Sequence, residues 1–190
     1  MTTTEAEPAV KLVTADEYAH MPPPEDGSPT ELIRGRVIVM SPPSFVHGLV
    51  QLNLAYALKT FVKQHNTGRV TVESGVLTET GLDTVRGPDV AYWSFATLPA
   101  DQVPVVFSNV APDLVAEVVS PSNSRKHIAT KVREFFTLGA KMIWVVDPDE
   151  RTATVYRKPG DGRVLWDDAT ITGEDVLPGF SCPVAEFFGS

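Results

Sequence analysis

The chain has 190 residues, 43% of them hydrophobic, with 16 basic against 24 acidic side chains and a formal net charge of −8. That balance excludes a protein that coats nucleic acid through bulk phosphate neutralisation, so nucleic-acid binding would need a local groove and a cation to offset the acids. A single cysteine, Cys182, excludes an internal disulfide and a cysteine-rich zinc site, and no apolar run reaches the ~18 residues that span a bilayer.

These features predict a cytoplasmic protein with no membrane partner. Residues 1–11 read as a disordered tail, polar and without a signal peptide's apolar core. Residues 12–190 read as one domain. In chain order, Thr14 and Glu17 form a capping box that opens a short helix, and Pro22-Pro23-Pro24 breaks it. Residues 31–33 and 36–40 are the strands of an N-terminal hairpin turning at Arg34-Gly35. From about 46 to 65, Val50, Leu54, Ala57, Leu58 and Phe61 recur at helical spacing, and Gly68 is expected to close that helix. Strands are predicted at 69–79 and 88–94, joined by a turn at Gly81-Leu82-Asp83.

Residues 113–119 are almost continuously apolar, which predicts a strand covered on both faces. Ser120 to Ser124 supply a turn and helix caps, and a helix over 125–139 stops at Gly139. Residues 142–147 form a further buried strand, so 113–147 reads as a βαβ crossover with parallel strands. A C-terminal hairpin spans 153–158 and 163–166, and the segment around Pro178-Gly179-Phe180 is expected to cover a sheet edge. Trp93 and Trp144 read as core.

Charges stand where a core is expected. Glu117 lies inside the apolar strand, and Asp89 opens another strand after Pro88. At 100° per residue, Ile128, Val132, Phe135 and Gly139 share one stripe of the 125–139 helix, and Lys131 sits on its margin. Thr130, Arg133, Glu134 and Thr137 read as pointing away. An ion removed from water costs several kcal/mol unless a partner answers it. The start of a helix lies beside the C-terminal end of the preceding strand, so Lys131 and Glu117 can meet. The bland reading is a structural ion pair. The functional reading is a divalent metal beside a phosphate: carboxylates hold Mg²⁺ or Mn²⁺ by oxygen, and a lysine orients water and offsets transition-state charge. His47 and Gln51, four apart on the inward edge of the first long helix, and Arg86 are candidate substrate contacts, with a solvated loop as the alternative for Arg86.

The segments Glu31-Leu32-Ile33-Arg34-Gly35, Ser41-Pro42-Pro43, His47-Gly48, Arg86-Gly87-Pro88-Asp89-Val90, Pro112 to Pro121, Lys131 and Trp144 to Pro148 together resemble the Uma-type restriction endonuclease family, part of the PD-(D/E)XK restriction-endonuclease-like superfamily. The resemblance covers about residues 12–188. It implies an α+β fold (mixed α/β), with a restriction-endonuclease-like mixed sheet flanked by helices and hairpins toward both termini. It implies catalytic roles for Glu31, Asp89, Glu117 and Lys131, with Asp89, Glu117 and the Val118 carbonyl as metal ligands. The superfamily's strand lysine is replaced by Val119, and its place is taken by Lys131 on the next helix. The activity implied is Mg²⁺- or Mn²⁺-dependent phosphodiester hydrolysis, with DNA as partner and a homodimer as assembly. The alternatives are an inactive nuclease-fold binding or regulatory module, and a metal-dependent phosphoesterase for a small substrate.

Overall fold

The structure is a computed structural model that describes residues 11–120 and 125–189. The expected N-terminal tail, apart from Lys11, and the expected caps at residues 121–124 lie outside the described residues. The fold is a mixed α+β arrangement. A short helix, α1 (Ala15–Ala19), precedes a hairpin of β1 (Thr30–Ile33) and β2 (Arg36–Val39). Thr14 and Glu17 form both halves of the capping box. The hairpin turns at Arg34 and Gly35, both at positive φ, which suits the right-handed twist of a two-residue turn. The long helix α2 (Phe45–His65) is capped by the Ser44 hydroxyl, which accepts from the His47 amide. It ends at Asn66 in the left-handed region, not at Gly68, which already belongs to the next strand.

The stretch expected as one strand over 69–79 is two, β3 (Gly68–Val72) and β4 (Val76–Glu79), in different sheets. The chain bends at Glu73, whose φ is positive, and the Phe107 ring fills the space a side chain at Gly75 would need. β5 (Thr84–Arg86) turns back on β4, and β6 (Val90–Ser94) rejoins β3. β7 (Leu114–Val118), α3 (Arg125–Leu138) and β8 (Met142–Asp147) form the expected crossover, with β7 and β8 parallel. β9 (Thr152–Tyr156) and β10 (Gly162–Trp166) make the C-terminal hairpin. β11 (Thr170–Thr172) and β12 (Ser181–Pro183) pair as a small ribbon, followed by a 3₁₀ turn at Val184–Phe187.

The larger sheet runs β10-β9-β8-β7-β6-β3 and the smaller β2-β1-β5-β4. Alternation of side chains along strands splits the core into two layers. Val90, Ala116, Val118 and Trp144 pack under α2 and the C-terminal segment. Ala91, Val115, Ile143 and Val145 pack under Ile128, Val132 and Phe135 of α3. The C-terminal segment therefore covers a sheet face, not an edge: Phe180 and Phe187 lie against Trp144, where burying aromatic area is worth more than shielding a strand edge. Among the described residues no helix is long and apolar enough to cross a membrane.

Candidate active site

The pairing of β6 with β7 places the two carboxylates. Val90 lies opposite Ala116, so extending this antiparallel register by one residue sets Asp89 beside Glu117. Ala116 and Val118 point into the α2 layer, so Glu117 points with Val115 into the α3 layer. There Lys131 meets it, with Nζ 2.7 Å from Oε2. Both side chains are buried, Glu117 at 1% exposure and Lys131 at 5%. The second oxygen, Oε1, is buried and has no hydrogen-bond partner among the described residues.

Asp89 is held from two sides. Its Oδ2 accepts from the Val118 amide at 2.6 Å and lies 3.2 Å from His47 Nε2. Gln51, one turn further along α2, donates to the Asp89 carbonyl and to Glu73, both at 3.0 Å. His47 and Gln51 therefore steady Asp89 in this structure, with both Gln51 bonds made by one amide nitrogen. The hydrogen bond to Asp89 raises the His47 pKa against the opposing effect of burial, and the Glu117 and Glu73 charges add to the rise.

Glu31 and Arg86 reach the site from the smaller sheet. Arg86 is not a solvated loop residue: it ends β5 at 2% exposure. Its guanidinium donates to Glu31 Oε2 at 2.7 Å and to both oxygens of Glu134 at 2.6 and 2.9 Å. With two carboxylates around it, Arg86 is engaged in structure and is not presented to a phosphate. Glu31 has its other oxygen 3.3 Å from the Gly87 amide and 3.5 Å from Lys131. Glu31 thus braces Lys131, and Arg86 braces Glu31.

Glu134 is the member that sequence reasoning missed. It was read as facing away, but it stands only 60° around α3 from Lys131, on the flank that meets the smaller sheet. A helix-on-one-sheet picture has no partner for that flank. The signal available in sequence was an arginine, Arg86, read as a phosphate contact or a solvated loop residue, and an acid 60° around the helix from the buried lysine. Conversely, Pro112-Asp113 repeats the Pro88-Asp89 pattern at the opposite end of β7, where Asp113 accepts from the Ser94 amide, the Thr97 hydroxyl and Lys141.

Electrostatics follow from this packing. Burial pushes the Glu117 carboxyl up, Lys131 pulls it back, and Asp89 pushes it up again. Burial opposes the charge on Lys131, but Glu117, Glu31 and Asp89 together hold it protonated. Burial lowers the pKa of His127, one turn before Lys131, and the Lys131 and Arg86 charges lower it further. A cleft of about 390 Å³ opens over this group, lined by Glu31, His47, Glu73, Asp89, His127 and Lys131.

The residues present fit a divalent ion. Glu31, Asp89, Glu117 and Glu134 bring four carboxyl groups together against two permanent cations, Arg86 and Lys131, so acidic groups outnumber those cations. The buried, unanswered Glu117 Oε1 adds a donor that such an ion would satisfy. Among the described residues no cluster of three or more His, Cys, Asp or Glu side chains is arranged to hold a metal. Two carboxylates and waters form an open donor set, the kind Mg²⁺ accepts because it retains much of its hydration.

Residues 15–185 match the Uma2 family model, described as "Putative restriction endonuclease". No curated protein matches. The crystal structure of a putative nuclease belonging to DUF820 from Anabaena variabilis superposes with a TM-score of 0.78 at 24% identity, covering 93% of this chain and 97% of that one. At that identity the likeness shows the shared fold.

Proposed function

The chain belongs to the Uma2 family, and from that membership and the geometry of its buried charges we propose that it is a metal-dependent endonuclease of the PD-(D/E)XK type acting on DNA. Asp89, Glu117 and the Val118 carbonyl would hold Mg²⁺ or Mn²⁺. When bound, the ion supplies Lewis-acid polarisation of the scissile phosphate. The side chains do the rest. Lys131, fixed between Glu117 and Glu31, presents an ammonium that can orient a water and stabilise the charge that grows on the phosphoryl oxygens. Glu31 keeps that ammonium in place, with its oxygens turned to Arg86, the Gly87 amide and Lys131. His47 and Gln51 hold Asp89 at the mouth of the cleft. A homodimer would bring two such sites to the two strands of a duplex.

One observation carries the reading: Glu117 is almost fully buried, tied to Lys131 through one oxygen and, among the described residues, without a partner at the other. A buried carboxylate oxygen without a partner is uncommon, because nothing offsets its loss of water. The test is incubation of the purified protein with plasmid DNA with and without Mg²⁺ or Mn²⁺, beside Glu117→Gln and Lys131→Met. Metal-dependent nicking lost in both variants is the expected result. Metal binding by calorimetry without cleavage of any nucleic acid would replace the nuclease with a regulatory module or a small-substrate phosphoesterase. No metal binding at all would leave a structural pair.

A further inference from the structure

The sheet face that carries Glu117 continues past α3. Glu117 pairs with Val145 of β8 and Val145 with Thr154 of β9, so the three stand in one row. Neighbours in such a row share a face of the sheet. α3 covers this face as far as Val145, which clusters with Ile128 and Val132. Beyond it a groove of about 780 Å³ opens between α3 and β9. Ser120, just past β7, lines both this groove and the cleft over Lys131, so the two adjoin. The groove lies toward the C-terminal ends of the parallel strands β7 and β8, where α/β units hold their ligands. Its volume falls within the range of about 300–1,000 Å³ usual for small-molecule sites.

The lining sets the chemistry. Ile128, Val132 and Val145 give the groove an aliphatic side. β9 turns Ala153 and Val155 to the core on its other face and gives the groove Thr152, Thr154 and Tyr156. Asp147 ends β8, and its Oδ1 accepts from the Asp149 and Glu150 amides, which holds the carboxylate at the groove. Asp147 and Asp149 line it against one cation, Arg133. That balance repels a phosphate and favours a group with N–H donors. A flat ring with an amino group meets both demands, the ring against the aliphatic side and the amine on a carboxylate. A nucleobase such as cytosine or adenine is such a ring.

Resting on the nuclease reading of the adjoining cleft, we propose that this groove receives one unpaired base of the substrate strand, beside the phosphate in the cleft, and prefers a base with an exocyclic amine. A base within a duplex is stacked on both faces and enters only by leaving the stack. Single strands and weakly paired stretches are therefore better substrates than stable duplex. Thr154 and Asp147 act on substrate choice and leave the metal to Asp89 and Glu117.

Fluorescence anisotropy of the full chain with short single-stranded DNA, Ca²⁺ replacing Mg²⁺ to hold back cleavage, reads the groove. Oligomers of deoxycytidine are expected to bind about fivefold or more tighter than those of thymidine, since one charge-assisted hydrogen bond is gained. Asp147→Asn is expected to erase that preference. Thr154→Trp, which fills the groove, is expected to lose about tenfold on the deoxycytidine oligomer. An abasic strand of equal length is expected to bind weakly and equally to wild type and Thr154→Trp, because neither complex seats a base. Circular dichroism melts check both variants, and Asp147→Asn, which keeps its turn acceptor, carries the test should Thr154→Trp fail to fold. Equal affinity for the two oligomers, a preference that survives Asp147→Asn, or an abasic strand bound as well as the others overturns the base site; with Mg²⁺-dependent cleavage intact, the nuclease reading stands. Cytidine monophosphate bound as tightly as the oligomer would make the groove a site for a free nucleotide and also overturns it. No binding of any strand, with no cleavage in Mg²⁺, removes both readings together.

Discussion

Replacing Arg86 with leucine tests the scaffold of the site most directly. The guanidinium is 2% exposed and bridges Glu31 of the smaller sheet to Glu134 of α3. Without it Glu134, a quarter exposed, can turn toward water. Glu31 cannot: its side chain is 7% exposed, and its remaining neighbours are the Gly87 amide at 3.3 Å and Lys131 at 3.5 Å. Removing one partner of a buried pair costs about 3–5 kcal/mol because a charge is left without its answer. For a chain of this size that is a fall in Tm of roughly 6–20 °C.

Urea unfolding of Arg86→Leu, Glu31→Leu and the double variant measures it. The double variant is expected to lose much less than the sum, with a coupling of about 2 kcal/mol or more. The pH dependence adds a sign. Burial raises the Glu31 pKa, but Lys131 and Arg86 outweigh it and bring it below the usual 4.5. A lowered folded value means the contribution is present above the unfolded pKa and is lost as pH falls through the folded one. In Arg86→Leu that support weakens and burial gains, so the variant recovers stability relative to wild type on acidification. A loss under about 1 kcal/mol, or strict additivity, would show that the pair behaves like a solvent-screened surface bridge and would refute the bracing role.

Lys131→Met is expected to lower metal-dependent nicking by about 10²-fold or more while metal binding by calorimetry persists. Mg²⁺ or Mn²⁺ at a hundredfold excess over its Kd should stabilise the wild type by about 2.7 kcal/mol, read as a higher Tm, and leave the melt of Asp89→Asn unmoved. Because Glu117 is raised by burial and must be ionised to bind metal, affinity should fall as pH is lowered through that raised value, earlier than for an ordinary carboxylate; titration calorimetry at several pH values checks this. Asp113 serves as a control. Its pKa is lowered, since Lys141, Ser94 and Thr97 together outweigh burial, so its support is lost as pH falls below the ordinary carboxylate range. Asp113→Ala should destabilise by about 3 kcal/mol in urea unfolding and leave metal affinity unchanged.

Local pattern carried much of this protein. The Arg34-Gly35 turn, the capping box at Thr14, the buried β7 and β8 and the crossover between them follow from turn chemistry, caps and period, each a property of a few adjacent residues. The buried placement of Glu117 and its meeting with Lys131 were legible for the same reason: a charge inside an apolar strand needs a counter-charge, and the following helix offers one at the right margin. What sequence could not supply was the second sheet. The bend at Glu73, beside which the Phe107 ring from far along the chain packs against Gly75, sends β4 and β5 away from β3 to build a separate layer. That layer brings Arg86 to Glu134 and Glu31 to Lys131, four residues whose proximity no local period encodes. Helical and strand periods report which face of an element is apolar. Only the packing of one element on another decides which charges share the space between them.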